Sequence, residues 1–277
     1  MDLDHVALAT LDARDALAML VGELGGTILF GGHAVGFRPM QVRLGDATEG
    51  MTIELLEPWE VERNDFLARF LERHGAGPHH LTFKVADILA ALDHVRAAGY
   101  EPVRVDLSDP GWKEAFLPPR QACGTVVQLA EYRGDYGTLA DQLASARAHG
   151  ASGSPRWWPE PPAPGPAAAC LRRVVLRTPS LADSRRLYAG VLEGRTEAEG
   201  TGWVELAWPG GGHLRFEEYP DRPAGVDRLE GDALGPSAEL LVAGARLELA
   251  SRGEISRDGD AGGTATRPRH RATPRRG

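Results

Sequence analysis

Two histidines occupy the same place in two similar stretches of the sequence. His5 lies in the apolar segment 3–8, and His80 opens a second apolar segment. Each segment is followed by a helical pattern of apolar residues that ends at glycine, and later by a strand pattern with one polar residue among apolar ones. That polar residue is Glu54 in the first unit and Gln128 in the second. The spacing agrees, since 54 minus 5 is 49 and 128 minus 80 is 48.

These four residues form a mixed nitrogen and oxygen ligand set: His5, Glu54, His80 and Gln128. Two neutral imidazoles, a carboxylate and an amide oxygen suit Zn, Mn, Co, Ni or Fe(II), and the absence of a thiolate argues against a structural zinc site. The alternative is that both histidines are ordinary residues at strand ends in a protein without metal. The sequence predicts a divalent metal site with open positions for a small-molecule substrate.

The elements that must position these side chains are two units, each with a strand, a helix and three further strands. Neighbouring polar residues are assigned by alternation along a strand. His79 is expected to face away from His80, in a role behind the ligand or at the surface. Glu131 lies three residues from Gln128, so the two are expected on opposite faces of their strand.

Three sequence segments carry a resemblance to a known family: Leu3-Asp4-His5-Val6, Ile53-Glu54-Leu55-Leu56-Glu57-Pro58, and Phe70-Leu71-Glu72-Arg73-His74-Gly75-Ala76-Gly77-Pro78-His79-His80. They resemble the glyoxalase / vicinal oxygen chelate (VOC) superfamily, and most of all its methylmalonyl-CoA epimerase-like branch. The resemblance covers residues 3 to 133.

The resemblance implies an α+β fold in which paired βαβββ modules form a cup-like open barrel, the glyoxalase/bleomycin resistance/dihydroxybiphenyl dioxygenase fold. It also implies a metal ion that binds two vicinal substrate oxygens and stabilises an enolate formed next to a carbonyl. Epimerases of this branch use a glutamate on the strand that here spans residues 40–44. That strand offers Gln41 and Arg43 but no acid, so Glu54 is the candidate for proton transfer as well as a ligand. The alternative is that Glu54 is a ligand only.

Three functions are compatible with this pattern. The first is a metal-dependent lyase or an isomerase/epimerase acting through an enolate on a small carbonyl or acyl-thioester substrate. The second is an extradiol-type Fe(II) dioxygenase. Such an enzyme binds its metal with two histidines and one carboxylate, so it does not require Gln128 as a ligand. The third is a non-enzymatic ligand-binding or resistance protein of the same fold.

The unit recurs in the second half of the chain, so the fold is expected in tandem. We predict a metal-binding domain at 1–133, a helix and proline-rich linker at 134–169, a degenerate and incomplete domain at 170–250, and a disordered tail at 251–277. Arg173, Arg215 and Arg228 stand near the ligand places of the second domain. A guanidinium cannot bind a cation, so this domain is expected to lack a metal site.

Composition narrows the class of protein further. The net charge is -8, which disfavours nucleic-acid binding. No apolar run approaches the ~18 residues of a membrane span, and the acidic N-terminus is unlike a signal peptide. The only two cysteines, Cys123 and Cys170, are far apart and are expected to be free thiols. We therefore predict a cytoplasmic protein without nucleic-acid or membrane partners, either a monomer with tandem domains or a homodimer.

Overall fold

The structure is a computed structural model that describes residues 1–134, 137–153, 162–166 and 168–252. Part of the expected proline-rich linker and residues 253–277 of the expected disordered tail lie outside this range. No helix in the described part of the chain is long and apolar enough to cross a membrane.

A nine-stranded mixed sheet contains the first two units. Its strands are β1 Asp2–Ala9, β2 Thr27–Gly31, β3 Gly36–Gly45, β4 Gly50–Trp59, β5 Gly77–Lys84, β6 Val103–Asp106, β7 Trp112–Leu117, β8 Val126–Tyr132 and β9 Ser152–Gly153. Its helices are α1 Arg14–Leu17, which continues as a π-helix over Ala18–Glu23, α2 Phe66–His74, α3 Ile88–Ala97 and α4 Leu139–His149. The order across the sheet is β6-β7-β8-β5-β1-β4-β3-β2-β9.

This order is that of two βαβββ modules joined at their first strands. In each module the first strand is parallel to the last, β1 to β4 and β5 to β8, while β1 and β5 run antiparallel. Helix α3 illustrates how the local sequence forms these elements. Asp87 accepts hydrogen bonds from the backbone N–H groups of Leu89 and Ala90, which caps the helix. Ile88, Leu92 and Val95 then recur on one buried face. The paired-module α+β fold is confirmed.

A seven-stranded sheet contains the second half. Its strands are β10 Cys170–Thr178, β11 Arg195–Gly200, β12 Trp203–Ala207, β13 His213–Glu218, β14 Gly225–Ala233, β15 Ala238–Val242 and β16 Ala245–Ser251. Helix α5, Leu181–Ser184, continues as a π-helix over Arg185–Val191. The order is β11-β12-β13-β10-β14-β16-β15, so the third unit repeats the module in full.

The fourth unit is shortened in its middle. Strand β14 pairs in parallel with β16, and β15 pairs antiparallel with β16. By comparison with the other units, β14 corresponds to the first strand of the module and β16 to the last. Between them the described residues contain β15 but neither the helix of the module nor the strand that comes directly after that helix. The sequence places the tail where the last strands of this unit are expected, and leaves open whether those strands are missing or altered.

The segment between the sheets is attached to the first one over its described residues. Helix α4 has a capping box between Thr138 and Asp141, and β9 adds to the edge of β2. The N–H of Gly165 donates to the carbonyl of Val21 at 2.9 Å, and the N–H of Ala169 donates to that of Leu24 at 2.9 Å. This part of the predicted linker is therefore packed structure.

The two sheets share one hydrophobic core. Along β1, Val6 and Leu8 face this core, and it continues into the second sheet through residues such as Leu176. Phe83 packs edge to face on Trp208 at 5.3 Å between ring centroids. The buried Tyr188 hydroxyl donates to the carbonyl of Ala122 at 3.0 Å. Each sheet therefore turns its other face away from the shared core.

Candidate metal centre

Strand β1 brings the predicted ligands together because it lies between the two strands that carry the others. Ala7 pairs with Glu54 on β4 and with His80 on β5. His5 precedes Ala7 by two residues, so its side chain lies on the same face of the sheet. The pairing of the modules thus places His5, Glu54 and His80 side by side.

The three side chains form a compact buried cluster. His5 Nε2 is 3.3 Å from Glu54 Oε2, and His80 Nε2 is 3.9 Å from the same oxygen. One ligand atom from each residue lies within 4.8 Å of the others. Donors bound to one ion at ~2.1 Å lie roughly 3–3.5 Å from each other. Small side-chain adjustments would therefore let all three bind one ion.

His5 is oriented by an acidic neighbour. Its Nδ1 is 2.7 Å from Asp4 Oδ2, and Lys84 Nζ is 2.7 Å from Asp4 Oδ1. An Nδ1–H that donates to a carboxylate leaves Nε2 for an ion, as in carboxylate–histidine–metal triads. Burial alone would lower the pKa of His5, but the charge of Glu54 and the hydrogen bond with Asp4 offset this and raise the pKa to about 10. Without an ion, His5 is therefore an imidazolium.

His80 has the opposite character. Burial, followed by the neighbouring charges of His79 and His5, holds its pKa well below the ordinary value, so the ring is neutral. Its Nε2 is buried and has no hydrogen-bond partner among the described residues. A buried nitrogen lone pair without a partner, facing a carboxylate, fits a divalent cation well.

His79 lies beside His80, contrary to the expectation from strand alternation. Ala7 pairs with His80 and Leu8 pairs with Pro78, so His79 is an extra residue in a β-bulge. Its Nδ1 is 2.8 Å from His80 Nδ1. If His80 donates from Nδ1, its Nε2 keeps the lone pair that a metal ion needs.

Gln128 is linked to the cluster through one intervening side chain, that of Thr82. Its Oε1 accepts from Thr82 Oγ1 at 2.6 Å, and Thr82 Oγ1 is 2.9 Å from His5 Nε2. Its Nε2 donates to Glu114 Oε2 at 2.7 Å. The amide oxygen is thus on the side of the histidines, and Gln128 stays a predicted fourth ligand. Glu131 is buried away from the cluster and accepts from the N–H of Ile88 at 2.9 Å.

Three polar side chains near the cluster have roles that the sequence did not predict: Gln41, Thr82 and Glu114. Gln41 lies on the strand where epimerases carry their glutamate, and its Nε2 donates to Glu54 Oε1 at 3.1 Å. Thr82 links His5 to Gln128. Glu114 is a further carboxylate that lines the cavity, in addition to Glu54. The alternation of residues along β7 could have indicated the direction of the Glu114 side chain. Ala115 and Leu117 are buried in the core, so Glu114 lies on the opposite face of the strand.

The cluster faces a large cavity of about 1410 Å³. Its walls combine aromatic and basic side chains, among them Phe66, Phe70, Arg69, Arg73 and Trp112. A concave site with apolar walls and a few converging polar groups is typical of small-molecule binding.

The corresponding face of the second sheet carries arginines at the ligand places. Val175 pairs with Arg215 on β13 and with Arg228 on β14, as Ala7 pairs with Glu54 and His80. Arg173, two residues before Val175, stands where His5 stands. Cationic side chains at all three places cannot bind a metal ion.

Comparison with known proteins agrees with this architecture. The family model for the Glyoxalase/Bleomycin resistance protein/Dioxygenase superfamily matches residues 4–116. The uncharacterized protein YqjC of Bacillus subtilis (strain 168) is 31% identical over 139 residues, which cover 48% of this chain and 94% of that protein. The ethylmalonyl-CoA/methylmalonyl-CoA epimerase of Cereibacter sphaeroides is 32% identical over 134 residues, 47% of this chain and 96% of that enzyme.

The fold as a whole also has a solved counterpart. A hypothetical protein from Staphylococcus aureus matches with a TM-score of 0.58 at 12% identity, over 90% of this chain and 99% of that one. This likeness extends over both sheets, whereas the two sequence relatives each match about half of the chain. The chain belongs to the glyoxalase/bleomycin resistance protein/dioxygenase superfamily, also called the vicinal oxygen chelate superfamily.

Proposed function

We propose that the protein is a metal-dependent enzyme, a lyase or an isomerase/epimerase, that moves a proton next to the carbonyl of a small carbonyl or acyl-thioester substrate. The observation that carries this proposal is the buried His5–Glu54–His80 cluster with the unpartnered Nε2 of His80 at the cavity. The relative named as an epimerase of ethylmalonyl-CoA and methylmalonyl-CoA supports the acyl-thioester class.

In this proposal His5, Glu54 and His80 hold the ion, with Gln128 as a further ligand. A divalent cation at this place supplies Lewis acidity for the negative charge that develops on a substrate oxygen. Asp4 fixes the ring of His5, and His79 fixes that of His80. Glu54 keeps two roles, ligand and proton carrier, and the hydrogen bond from Gln41 to Oε1 sets the orientation of its carboxylate.

The cavity is compatible with a substrate larger than a short acid. Typical small-molecule pockets measure ≈ 300–1,000 Å³, and this cavity measures about 1410 Å³. An acyl thioester can place its acyl group at the ligand cluster and the remainder along the aromatic and basic walls.

Proton exchange tests the proposal directly. The protein is freed of metal, loaded separately with Zn, Mn, Co, Ni or Fe(II), and incubated with methylmalonyl-CoA or ethylmalonyl-CoA in D₂O. Mass spectrometry is expected to show deuterium next to the carbonyl with at least one metal and none with the metal-free protein. Stoichiometric metal without exchange on either compound would refute the thioester class, and failure to bind any of the five metals would refute the enzyme proposal itself.

A second candidate, the extradiol-type dioxygenase, is favoured by one observation. The clustered ligands are two histidines and one carboxylate, the set used by many Fe(II) oxygenases, while Gln128 Oε1 is bonded to Thr82. Oxygen consumption with Fe(II) and a catechol, together with no deuterium exchange, would decide for this candidate.

The second sheet enters the proposal as a scaffold. Its ligand places carry arginines, and its apolar face completes the core on which β1, β4 and β5 rest. We propose two domains, 1–133 and 170–250, of which only the first does chemistry.

A further inference from the structure

An amide ligand poses a problem of orientation. The oxygen of Gln128 can bind a cation, but its NH₂ group carries two donors and would be repelled. Rotation by 180° exchanges the two ends at little cost unless neighbours distinguish them. At Gln128 the neighbours do so, because Thr82 offers a hydroxyl to the oxygen and Glu114 offers a carboxylate to the nitrogen.

Glu114 is the stronger of these two determinants. A carboxylate only accepts hydrogen bonds, so it can face the NH₂ end but not the oxygen end. A hydroxyl can donate or accept, so Thr82 would tolerate either orientation. Trp112 Nε1 donates to the same Glu114 oxygen at 2.8 Å, which holds the carboxylate against β8.

The charge of Glu114 points in the same direction. It is half-buried, and no Lys, Arg or His among the described residues forms an ion pair with it; the adjacent Lys113 pairs with Glu131 at 3.1 Å. Its carboxylate accepts hydrogen bonds from Trp112 and Gln128. Together with Glu54 it would balance the two charges of a divalent ion.

We propose that Glu114 is a positioning residue that fixes the Gln128 amide with Oε1 toward His5 and His80, so that Gln128 binds the ion. This inference rests on the proposed metal site. Glu114 acts through Gln128, and its loss frees the amide to turn. Outer residues that orient a ligand typically contribute 10–100-fold to metal affinity.

A double-mutant cycle with Co(II) tests this without any substrate. Affinity is measured by competition with a chelator and the ligand set by the visible absorption spectrum, for Glu114→Leu, Gln128→Ala and the double variant. Glu114→Leu is expected to weaken Co(II) binding as much as Gln128→Ala does, by up to about 10-fold, and to give the spectrum of Gln128→Ala. In the Gln128→Ala background it is expected to have no further effect.

Two further variants separate positioning from other effects. Glu114→Gln retains an acceptor oxygen and is expected to restore most of the affinity and the wild-type spectrum. Glu72→Leu, which removes an exposed acid on α2, controls for charge and is expected to change neither. If Glu114→Leu does not fold, as judged by thermal unfolding without metal, Trp112→Phe loosens the same carboxylate and is expected to shift the spectrum in the same direction.

The outcomes distinguish a failure of the positioning role from a failure of the metal site. Additive effects of Glu114→Leu and Gln128→Ala, or an unchanged spectrum in Glu114→Leu beside a changed one in Gln128→Ala, would overturn the positioning role alone. If the wild type takes up no Co(II), the proposed function and this inference both fail.

Discussion

Two histidines in opposite protonation states face one carboxylate at the candidate centre. His5 is charged without an ion and must release a proton to bind one, while His80 is neutral and presents an unpartnered nitrogen. Both rings are nevertheless strong nitrogen donors that no oxygen ligand replaces fully. The two residues are therefore expected to be equally necessary for different reasons.

We expect His5→Ala and His80→Ala each to weaken metal binding by at least ~10-fold, with Gln128→Ala weakening it less because a neutral amide is the poorer donor. Calorimetric titration of the metal-free proteins measures this. His74→Ala, which changes an exposed histidine on α2, is the matched control and is expected to bind as the wild type does. Equal affinity in the wild type and in His80→Ala would show that the ligand set is wrong.

Glu54→Gln separates the two roles proposed for that residue. The amide keeps an oxygen toward the ion but cannot accept a proton at neutral pH. We expect the variant to retain metal, with reduced affinity, and to lose solvent proton exchange on methylmalonyl-CoA by ~10²-fold or more. Retained exchange would show that another group carries the proton, and Glu114 would then be the first residue to test.

At the residue scale, the sequence predicted the three clustered residues but not the side chains around them. His5, Glu54 and His80 follow from the repeat, because equal spacing in two modules places them on neighbouring strands. His79 could not be placed, since alternation fails at a β-bulge and a bulge depends on pairing between strands. Glu114 has no sequence signature beyond alternation, and its partner Gln128 lies on another strand.

At the element scale, the modules were predictable because their apolar residues recur with the period of a strand or a helix. The helices also have cap residues and residues that stop them. The shortened fourth unit was recognised as incomplete, but the place of the missing part was not, since only the pairing of β14 with β16 reveals it. The close backbone contact between the two sheets also had no signal in the sequence. It depends on glycines that let backbones from distant segments approach closely.

Gly124 shows how tight this contact is. Its φ is +81°, and a Cβ there would lie 2.3 Å from the carbonyl carbon of Ala224 in the second half of the chain. Gly75 has a similar φ of +73°, but nothing lies within 4 Å of its Cβ position. Gly124→Ala is expected to destabilise the protein by several kcal/mol and Gly75→Ala by only ~1 kcal/mol, the cost of a left-handed alanine. Urea unfolding of the two variants measures the difference, and equal losses would mean that the segments can separate freely.

At the scale of the whole molecule, two sheets packed through their apolar faces present two opposite faces, and the chain treats them differently. One face holds the candidate metal centre. The other fills the equivalent places with arginines paired to carboxylates, as in Arg228 with Glu217 at 2.8 Å and with Glu230 at 2.7 Å. The carboxylates neutralise the positive charges of the arginines, so this face contributes to the stability of the scaffold.

Because the sheets share one core, the first is expected to depend on the second. Deleting residues 170–277 removes the partners of Phe83 and uncovers the apolar face of β1. We expect the truncated chain to be much less stable or insoluble, as judged by thermal unfolding and gel filtration. Any soluble fraction is expected to bind metal. A soluble, stable truncated protein that binds no metal would contradict the scaffold role.

The charged face makes stability depend on pH through Glu205. Burial alone would raise its pKa, but the hydrogen bond with His213, the charge of Arg173 and the hydrogen bond with Arg215 lower it to about 2, from an ordinary value of 4.5. A carboxyl group whose pKa is lower in the folded state adds stability above its unfolded pKa, and this stability is lost as the pH falls from 4.5 toward 2. Glu205→Gln is therefore expected to lower the free energy of unfolding at pH 7 by roughly 2–3 kcal/mol, and the difference from wild type is expected to shrink steadily below pH 4.5. Glu197→Gln, on the exposed edge strand β11, serves as the control and is expected to differ little from wild type at any pH. Urea unfolding at pH 7, 4.5 and 3 measures both, and a Glu205→Gln difference that is the same at all three would show that the charge of this glutamate does not stabilise the face.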